Sequence, residues 1–480
     1  MLQTLETLLR SSIFPFSKMI QITPKFRPKL DPDFIPAILW NRAYKDKVAA
    51  TPGSRPVRVA IERGTDQRWV FDTQVLPRDT AYEVVNLKFM ERLLKFLLWA
   101  WGGHSIRIAG APEIAEALST LYSQSGTRKF DAAFMGDKCF RVPLTIEAAD
   151  FDTLTPTQPK PAADKIDLRG HRIGFDLGGS DRKCAALIDG NVVFSEEIKW
   201  DPYFESDPNY HLKGIEDSLE RAAKHLPRVD AIGGSAAGIY IDNEPRVGSL
   251  FRGVSDEDFD RHIRNIFKRL QTKWGNIPFD IANDGDVTAI AGAMAIDDQA
   301  VLGISMGTSL AGGYIDPRGN VTGWLNELAF APVDYRDDAP IDEWSGDIGC
   351  GAQYFSQQAV GRLLPSSGIA VDDSIGLPEK LELVQAKIKD DDERARAIYE
   401  TIGTYFGYSI AHFSEFYDFR HLLVLGRVTS GAGGEIILEE ARRVMDGEFP
   451  ELSKKIKFQT PDEKTKRHGQ AIAAASLPKI

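Results

Sequence analysis

Residues able to do chemistry gather in a few short segments of this sequence. Ile281-Ala282-Asn283-Asp284-Gly285-Asp286 sets two carboxylates two residues apart, between an apolar strand and the helical run VTAIAGAMA. A carboxylate at such a junction can take the proton of a hydroxyl that attacks phosphorus, and phosphoryl transfer asks little other covalent chemistry of a protein. An isolated N-D-G-D is more often a turn or helix cap, because Asn and Asp side chains bond nearby backbone N–H groups. Asp286 is read in that way, and Asp284 is read as the base.

Three glycine-bearing turns accompany the acidic pair. Gly174 to Lys183 (GFDLGGSDRK) joins two apolar strands. There Asp176, Gly178, Gly179, Ser180 and Lys183 form a candidate phosphate turn, since glycine lets backbone N–H groups approach an anion. Ser305 to Gly313 offers Gly307, Thr308 and Ser309 at a second turn after the strand VLGI. LLVLGRVTSGAGGEIILEEARRVM is a buried strand, a loop and a helix opening near Glu435, so a nucleotide could lie against the backbone at Gly426 and Arg427. Each turn alone is unspecific.

The balance of the chain agrees with a small-molecule partner. Its 480 residues, 43% hydrophobic and 26% charged, exceed one ordinary core and predict two or three domains. A net charge of -11 argues against nucleic acid or an anionic membrane as partner, both of which call for clustered Lys and Arg. Cys139, Cys184 and Cys350 stand far apart, without a C-x-x-C pair, and the eight histidines show no metal spacing. A reducing cytoplasm is the expected compartment. Met1 to Phe16 lacks the pattern of a signal peptide, and Met19 is an alternative start. The longest apolar stretch, Phe89 to Trp101, is broken by Glu91, Arg92 and Lys95 and falls short of a membrane span.

The elements that must hold these residues follow from periodicity. VRVAIERGTDQRWVF reads as a hairpin around Gly64-Thr65-Asp66, and Asp79-Thr80 opens a long amphipathic helix that stops at Gly102-Gly103. With HSIRIAG, a Pro112-started helix and FRVPLTI, the region reads ββαβαβ. The expected division is an extension over 1–30, an α/β domain over 31–152, a Pro- and Thr-rich linker over 153–168, and two lobes over 169–290 and 291–480. Trp324 and Trp344, close to the motifs, keep a modest claim to an acceptor pocket, whereas Trp99 and Trp101 read as core.

In order and spacing these motifs resemble the ROK family (repressor, open reading frame, kinase) of the hexokinase and actin superfamily, over roughly residues 170 to 480. DLGGSDRK resembles the family's D-x-G-G-T-K, NDGD its N-D-A-N, and GTSLAGG its G-T-G-x-G-G-G. The resemblance implies an α/β, two-lobed actin-like ATPase fold (ribonuclease H-like), here with the added small N-terminal α/β domain. It implies ATP with Mg²⁺, a sugar or sugar-like acceptor, Asp284 as catalytic base, and Asn283, Glu327 and Gly238 at the acceptor; homodimers are common among such kinases. Phe330 replaces the histidine of the family's E-L-G-H, and only Cys350 remains of its zinc cluster, so no structural zinc is expected. Ala352 and the segment GSLFRG, with Phe251 and Arg252, also depart from the family's acceptor-contacting residues, which makes glucose a poor expectation. The alternative is a catalytically silent ROK-like sugar-binding sensor. An actin-like ATPase without an acceptor has no need for Asn283-Asp284 and Glu327 together.

Overall fold

The computed structural model describes residues 19–64, 67–157, 168–372, 374–459 and 463–480. The readings placed on Met1–Phe16, on Thr65-Asp66 and on most of the linker lie outside the described residues.

The N-terminal unit follows its periodicity. β1 (Arg55–Arg63) and β2 (Gln67–Val75) pair antiparallel from Arg55↔Val75 to Arg63↔Gln67, and β3 (Ser105–Ala109) and β4 (Thr145–Ala149) complete a sheet of order β2-β1-β3-β4. Helix α1 (Thr80–Ala100) starts where the Asp79 carboxylate accepts the Ala81 N–H. Its apolar face packs beyond its own sheet: Phe96 stacks on Phe416 at 3.9 Å and meets His412 at 4.8 Å, so this unit and the helix Glu393–Phe413 share one hydrophobic core.

The residues that interrupt the apolar stretch of α1 are buried as well. Lys95 bonds Asp347 at 2.7 Å and Asp131 at 3.2 Å; Arg92 bonds Glu91 at 2.6 Å and Asp347 at 3.0 Å; Arg128 contacts both Glu91 and Asp347. Three cations thus balance three carboxylates inside the protein, as burial of charge requires.

The first lobe has β5 (His171–Leu177), β6 (Asp181–Ile188), β7 (Asn191–Lys199), β8 (Ala231–Ala236) and β11 (Phe279–Asn283), with β9 (Ile239–Ile241) and β10 (Glu244–Val247) forming a separate hairpin. The sheet order is β11-β8-β5-β6-β7, the first three strands parallel. In the second lobe, β12 (Val301–Met306), β13 (Leu310–Ile315), β14 (His421–Leu425) and β15 (Lys457–Gln459) pair in the order β13-β12-β14-β15. Helix α2 (Asp284–Ile296) leaves the first sheet to pack on β12 and β13, and α3 (Glu463–Ala474) returns to β5, β6 and β8, so the two helices cross between the lobes.

That crossing needs bare backbone. A methyl group at Gly174 would overlap the Ala471 carbonyl, and one at Gly233 the Ala474 carbonyl. Because backbone rather than a flexible side chain stands in the way, Gly233→Ala is expected to cost about 1–3 kcal/mol in urea unfolding. An unchanged midpoint would mean that α3 does not lie this close to the sheet.

Candidate active site

The register of the first sheet builds half of the site. Leu177 pairs with Ala236, and Ala236 with Asn283, so three parallel strands end side by side. The carboxyl edge of parallel strands is where α/β proteins place ligands. It brings Asp176, the Gly178 turn and Asn283-Asp284 onto one rim.

At the first turn, Gly178 N–H bonds the Asp181 carbonyl at 2.9 Å, and Asp176 accepts the Ser235 hydroxyl at 2.7 Å with Lys183 Nζ 3.8 Å away. Burial pushes the Asp176 carboxyl up to about 6, against the Ser235 hydrogen bond and Lys183, and the charge of Asp284 adds to the rise. Ser180 Oγ donates to Asp181, while Lys183 Nζ lies 3.2 Å from the same residue. Two aromatic residues missed in the sequence hold this turn. Trp200 Nε1 donates to the Gly178 carbonyl at 2.7 Å, and the Tyr203 hydroxyl occupies the place a Gly179 side chain would take. The Arg252 guanidinium stacks over Tyr203 at 3.9 Å. Only an Arg in an otherwise apolar segment, GSLFRG, hints at this in the sequence.

Asn283 caps α2: its Oδ1 accepts the Gly285 N–H at 2.7 Å, and its Nδ2 donates to the Gly238 carbonyl at 2.7 Å. One N–H and one lone pair remain for a ligand. Asp284 follows at the first position of the helix, and desolvation raises its pKa. Asp286, read as a cap or turn residue, is instead a brace within the first turn of the helix. It accepts the Tyr314 N–H at 3.1 Å and Asn326 Nδ2 at 2.8 Å, and burial lifts it to about 7. Asn283 already supplies the cap, which frees Asp286 to tie α2 to β13 and to the Glu327 segment.

Glu327 is placed by the N-terminal unit. A helix end leaves carbonyls without partners, and those at the end of α1 accept N–H groups from the distant Glu327 segment: Leu325 to Trp101 at 3.3 Å, Asn326 to Ala100 at 2.9 Å, and Glu327 to Trp99 at 3.0 Å. Arg63 locks the junction through the carbonyls of Trp101, Gly102 and Gly323. Trp324 lies here too, stacked 5.4 Å from Tyr314 and lining a cleft of about 1230 Å³ together with Gly238, Asn283 and Asp286. Trp344 is 73% exposed and away from that lining.

Desolvation, then the charges of Asp284 and Asp286, raise the Glu327 pKa from 4.5 to about 7. The folded state therefore holds this proton more tightly than the unfolded state. Its contribution to stability is complete below about pH 4.5 and is lost as pH rises to about 7. Glu327→Gln, which cannot ionise, is expected to match the parent protein near the low end of that window and to exceed it by about 1–3 kcal/mol above the high end. Urea unfolding at several pH values checks this, and a pH-independent difference would disprove it.

The remaining candidate residues lie in the second lobe. Gly307 N–H bonds the Ser309 carbonyl at 2.9 Å, with Thr308 and Ser309 exposed at the tip. β12 and β14 are adjacent and parallel, so Gly426 lies against Met306; its φ of 103° and the Met306 backbone leave no room for a side chain. Arg427 is exposed beside it, and the following helix opens at Ala432, three residues before Glu435.

The donors for a tetrahedral zinc site are not assembled among the described residues. Phe330 stacks on Trp99 at 4.2 Å, and the Cys350 thiol, pushed up to about 12 by burial, lies 3.8 Å from Asp347 amid the buried ion pairs. A lone thiol among cations does not make a Zn²⁺ site. Oxygen donors at Asp176 and the turn hydroxyls do suit Mg²⁺ carried by a nucleotide, which keeps waters and takes only one or two carboxylates.

No family model and no curated protein matches the chain. Solved structures do. The ROK hexokinase of Thermus thermophilus superposes with a TM-score of 0.50 at 18% identity, over 64% of this chain and 97% of that one. The core has the actin-like ATPase fold of the ROK proteins. A ROK-family transcriptional regulator, a homologue of the E. coli MLC protein, aligns with a TM-score of 0.49 at 18% identity over 65% of this chain and 78% of its own. The ROK-family glucokinase of Streptomyces griseus, crystallised with glucose and AMPPNP, gives 0.45 at 20% over 64% and 99%. The ROK fold thus accounts for about two thirds of the chain, and a further region lies outside it. Among the described residues no helix is long and apolar enough to cross a membrane.

Proposed function

We propose that this protein is an ATP-dependent kinase that phosphorylates a hydroxyl of a sugar or sugar-like molecule. The observation that carries the reading is the shared strand edge that sets Asp284 beside the Asp176–Ser180 turn, with Glu327 near enough for its charge to be felt. MgATP, when bound, supplies the γ-phosphoryl group and balances its negative charge.

The chain's own residues divide the remaining work. Gly178, Gly179 and Ser180 present backbone N–H groups and a hydroxyl to phosphate oxygens from one lobe, and Gly307, Thr308 and Ser309 do so from the other. Asp176 would hold the Mg²⁺ that accompanies the nucleotide, and Lys183 neutralises phosphate. Gly426 and Arg427 border the nucleotide. Asn283, Gly238 and Glu327 orient the acceptor. Asp284 accepts the hydroxyl proton as the oxygen–phosphorus bond forms and ADP departs. Lobe closure keeps water from competing. A cytoplasmic location goes with ATP as donor.

The test is ADP release from MgATP across hexoses, amino sugars, N-acetyl sugars and cyclitols. One compound is expected to stimulate turnover well above the background. Should none do so while a sugar raises the melting temperature, the chain is a sugar-binding sensor.

A further inference from the structure

The rim of the first lobe is acidic where a phosphate has to sit. Asp176, Asp181 and Asp284 lie along it, and Lys183, the cation of the turn, is already shared between Asp181 at 3.2 Å and Asp176 at 3.8 Å. A phosphate arriving there calls for a cation not yet neutralised. Arg252 is exposed, and among the described residues its guanidinium makes no ion pair and no hydrogen bond.

Direct contacts set Arg252 between the first turn and the acceptor residues. The Gly238 carbonyl holds Asn283 Nδ2, and Gly248 lies so close to Gly238 that a side chain on the latter would clash with it. From Gly248 the chain makes the single 3-10 turn Ser249–Phe251 and presents Arg252. There the guanidinium lies 3.9 Å over the Tyr203 ring and 5.3 Å from that of Phe204, and the Tyr203 hydroxyl fills the place of a Gly179 side chain. The path from Asn283 to Gly179 thus runs through Gly238, Gly248, Arg252 and Tyr203.

The two segments that build the stack are fastened to each other. The fully buried His211 donates its Nε2–H to the carbonyls of Leu250 at 2.9 Å and Pro202 at 3.2 Å, and a side chain on Gly253 would strike the Glu205 carbonyl. Stacking engages only the face of a guanidinium. Its N–H donors lie in the plane and stay open to a ligand.

The geometry points to Arg252 as a further phosphate-binding residue, which holds the terminal phosphate of the nucleotide at the Gly178–Ser180 turn while that group passes to the acceptor. This inference rests on the kinase reading for the identity of its ligand. Phosphoryl transfer depends on positioning and on charge stabilisation, and a guanidinium fork matches phosphate oxygens. As the acceptor oxygen bonds to the γ-phosphorus, the bond from that phosphorus to the bridging oxygen of ADP breaks and the hydroxyl proton goes to Asp284. Arg252 keeps its own proton throughout.

The test is calorimetric titration of the full chain with Mg²⁺-AMPPNP and with Mg²⁺-ADP, without acceptor, on the parent protein, Arg252→Gln and Arg252→Lys. Arg252→Gln is expected to weaken AMPPNP about tenfold and ADP by less than about twofold, because ADP lacks the phosphate that Arg252 meets. Arg252→Lys, which keeps the charge and loses the fork, is expected to fall between Arg252→Gln and the parent. Arg252→Met, with a long stem to cover Tyr203, stands in for Arg252→Gln should that variant not fold. A parent that binds AMPPNP no better than Arg252→Gln overturns the assignment and leaves the kinase reading standing. An equal loss for both nucleotides also overturns it, since that is the mark of a residue that only supports Tyr203 and the turn. A parent that binds neither nucleotide overturns the assignment and the kinase reading together.

Discussion

Asp284→Ala is expected to lower acceptor-stimulated ADP release by about 100- to 10,000-fold, the range spanned by a positioned acid or base. ATP affinity should stay within about twofold, because the proposed reading assigns phosphate binding to the turns and not to this carboxylate. The fold should survive. The Gly285 N–H is shared between Asn283 Oδ1 at 2.7 Å and Asp284 Oδ1 at 3.0 Å, so Asn283 keeps the cap when Asp284 is lost, and removing a desolvated carboxylate relieves a cost. Burial raises the Asp284 pKa, so the base protonates at higher pH than an ordinary aspartate. The parent rate should therefore fall on the acid side as pH drops through that raised value, and the variant should lose this limb. Steady-state rates with a coupled ADP assay, beside calorimetric ATP titration, check both. A variant that keeps more than about a tenth of the rate would remove Asp284 from the chemistry.

Asp347→Ala is expected to destabilise the protein by about 3–5 kcal/mol, the cost of breaking a buried pair by deleting one partner. Asp347 contacts the buried Arg92 and Lys95 and the largely buried Arg128, and its loss leaves three cations facing Glu91 and Asp131 alone. Burial opposes its ionisation, but Arg128, Arg92 and Lys95 hold it well below the usual carboxylate range. The folded value being the lower, this contribution is present above the unfolded pKa and is lost as pH falls. Urea unfolding near neutral pH reads the effect. A loss under about 1 kcal/mol would mean that water or relaxation screens the cluster. Because the cluster joins α1 to the segment before Cys350, the same variant is expected to loosen the junction that carries Glu327.

Much of the candidate site was legible because local chemistry writes it. Glycines at Gly178, Gly179 and Gly426 mark close backbone approach, and Asn283 before Asp284 announces a helix start. What could not be read is tertiary. Glu91, Arg92 and Lys95 look like solvated breaks in an apolar stretch, since nothing within α1 reveals that Arg128, Asp131 and Asp347 arrive to neutralise them. Asp286 passes for a cap until β13 and Asn326 are seen to take its carboxylate. Arg63 carries no motif, and its role at the junction comes from the carbonyls of Trp101, Gly102 and Gly323, all more than 30 residues distant.

The sequence by itself therefore determined the strands, the helix that follows Asp79, the glycine turns and the acidic junction, because periodicity, capping and backbone freedom act over a few residues. Only the tertiary structure decided that the parallel strands end in one register, so that Asp176 and Asp284 share an edge, and that the end of α1 supports Glu327. The physical reason is that burial and charge are properties of surroundings. A carboxylate becomes base, brace or buried counter-ion according to which distant groups desolvate and neutralise it.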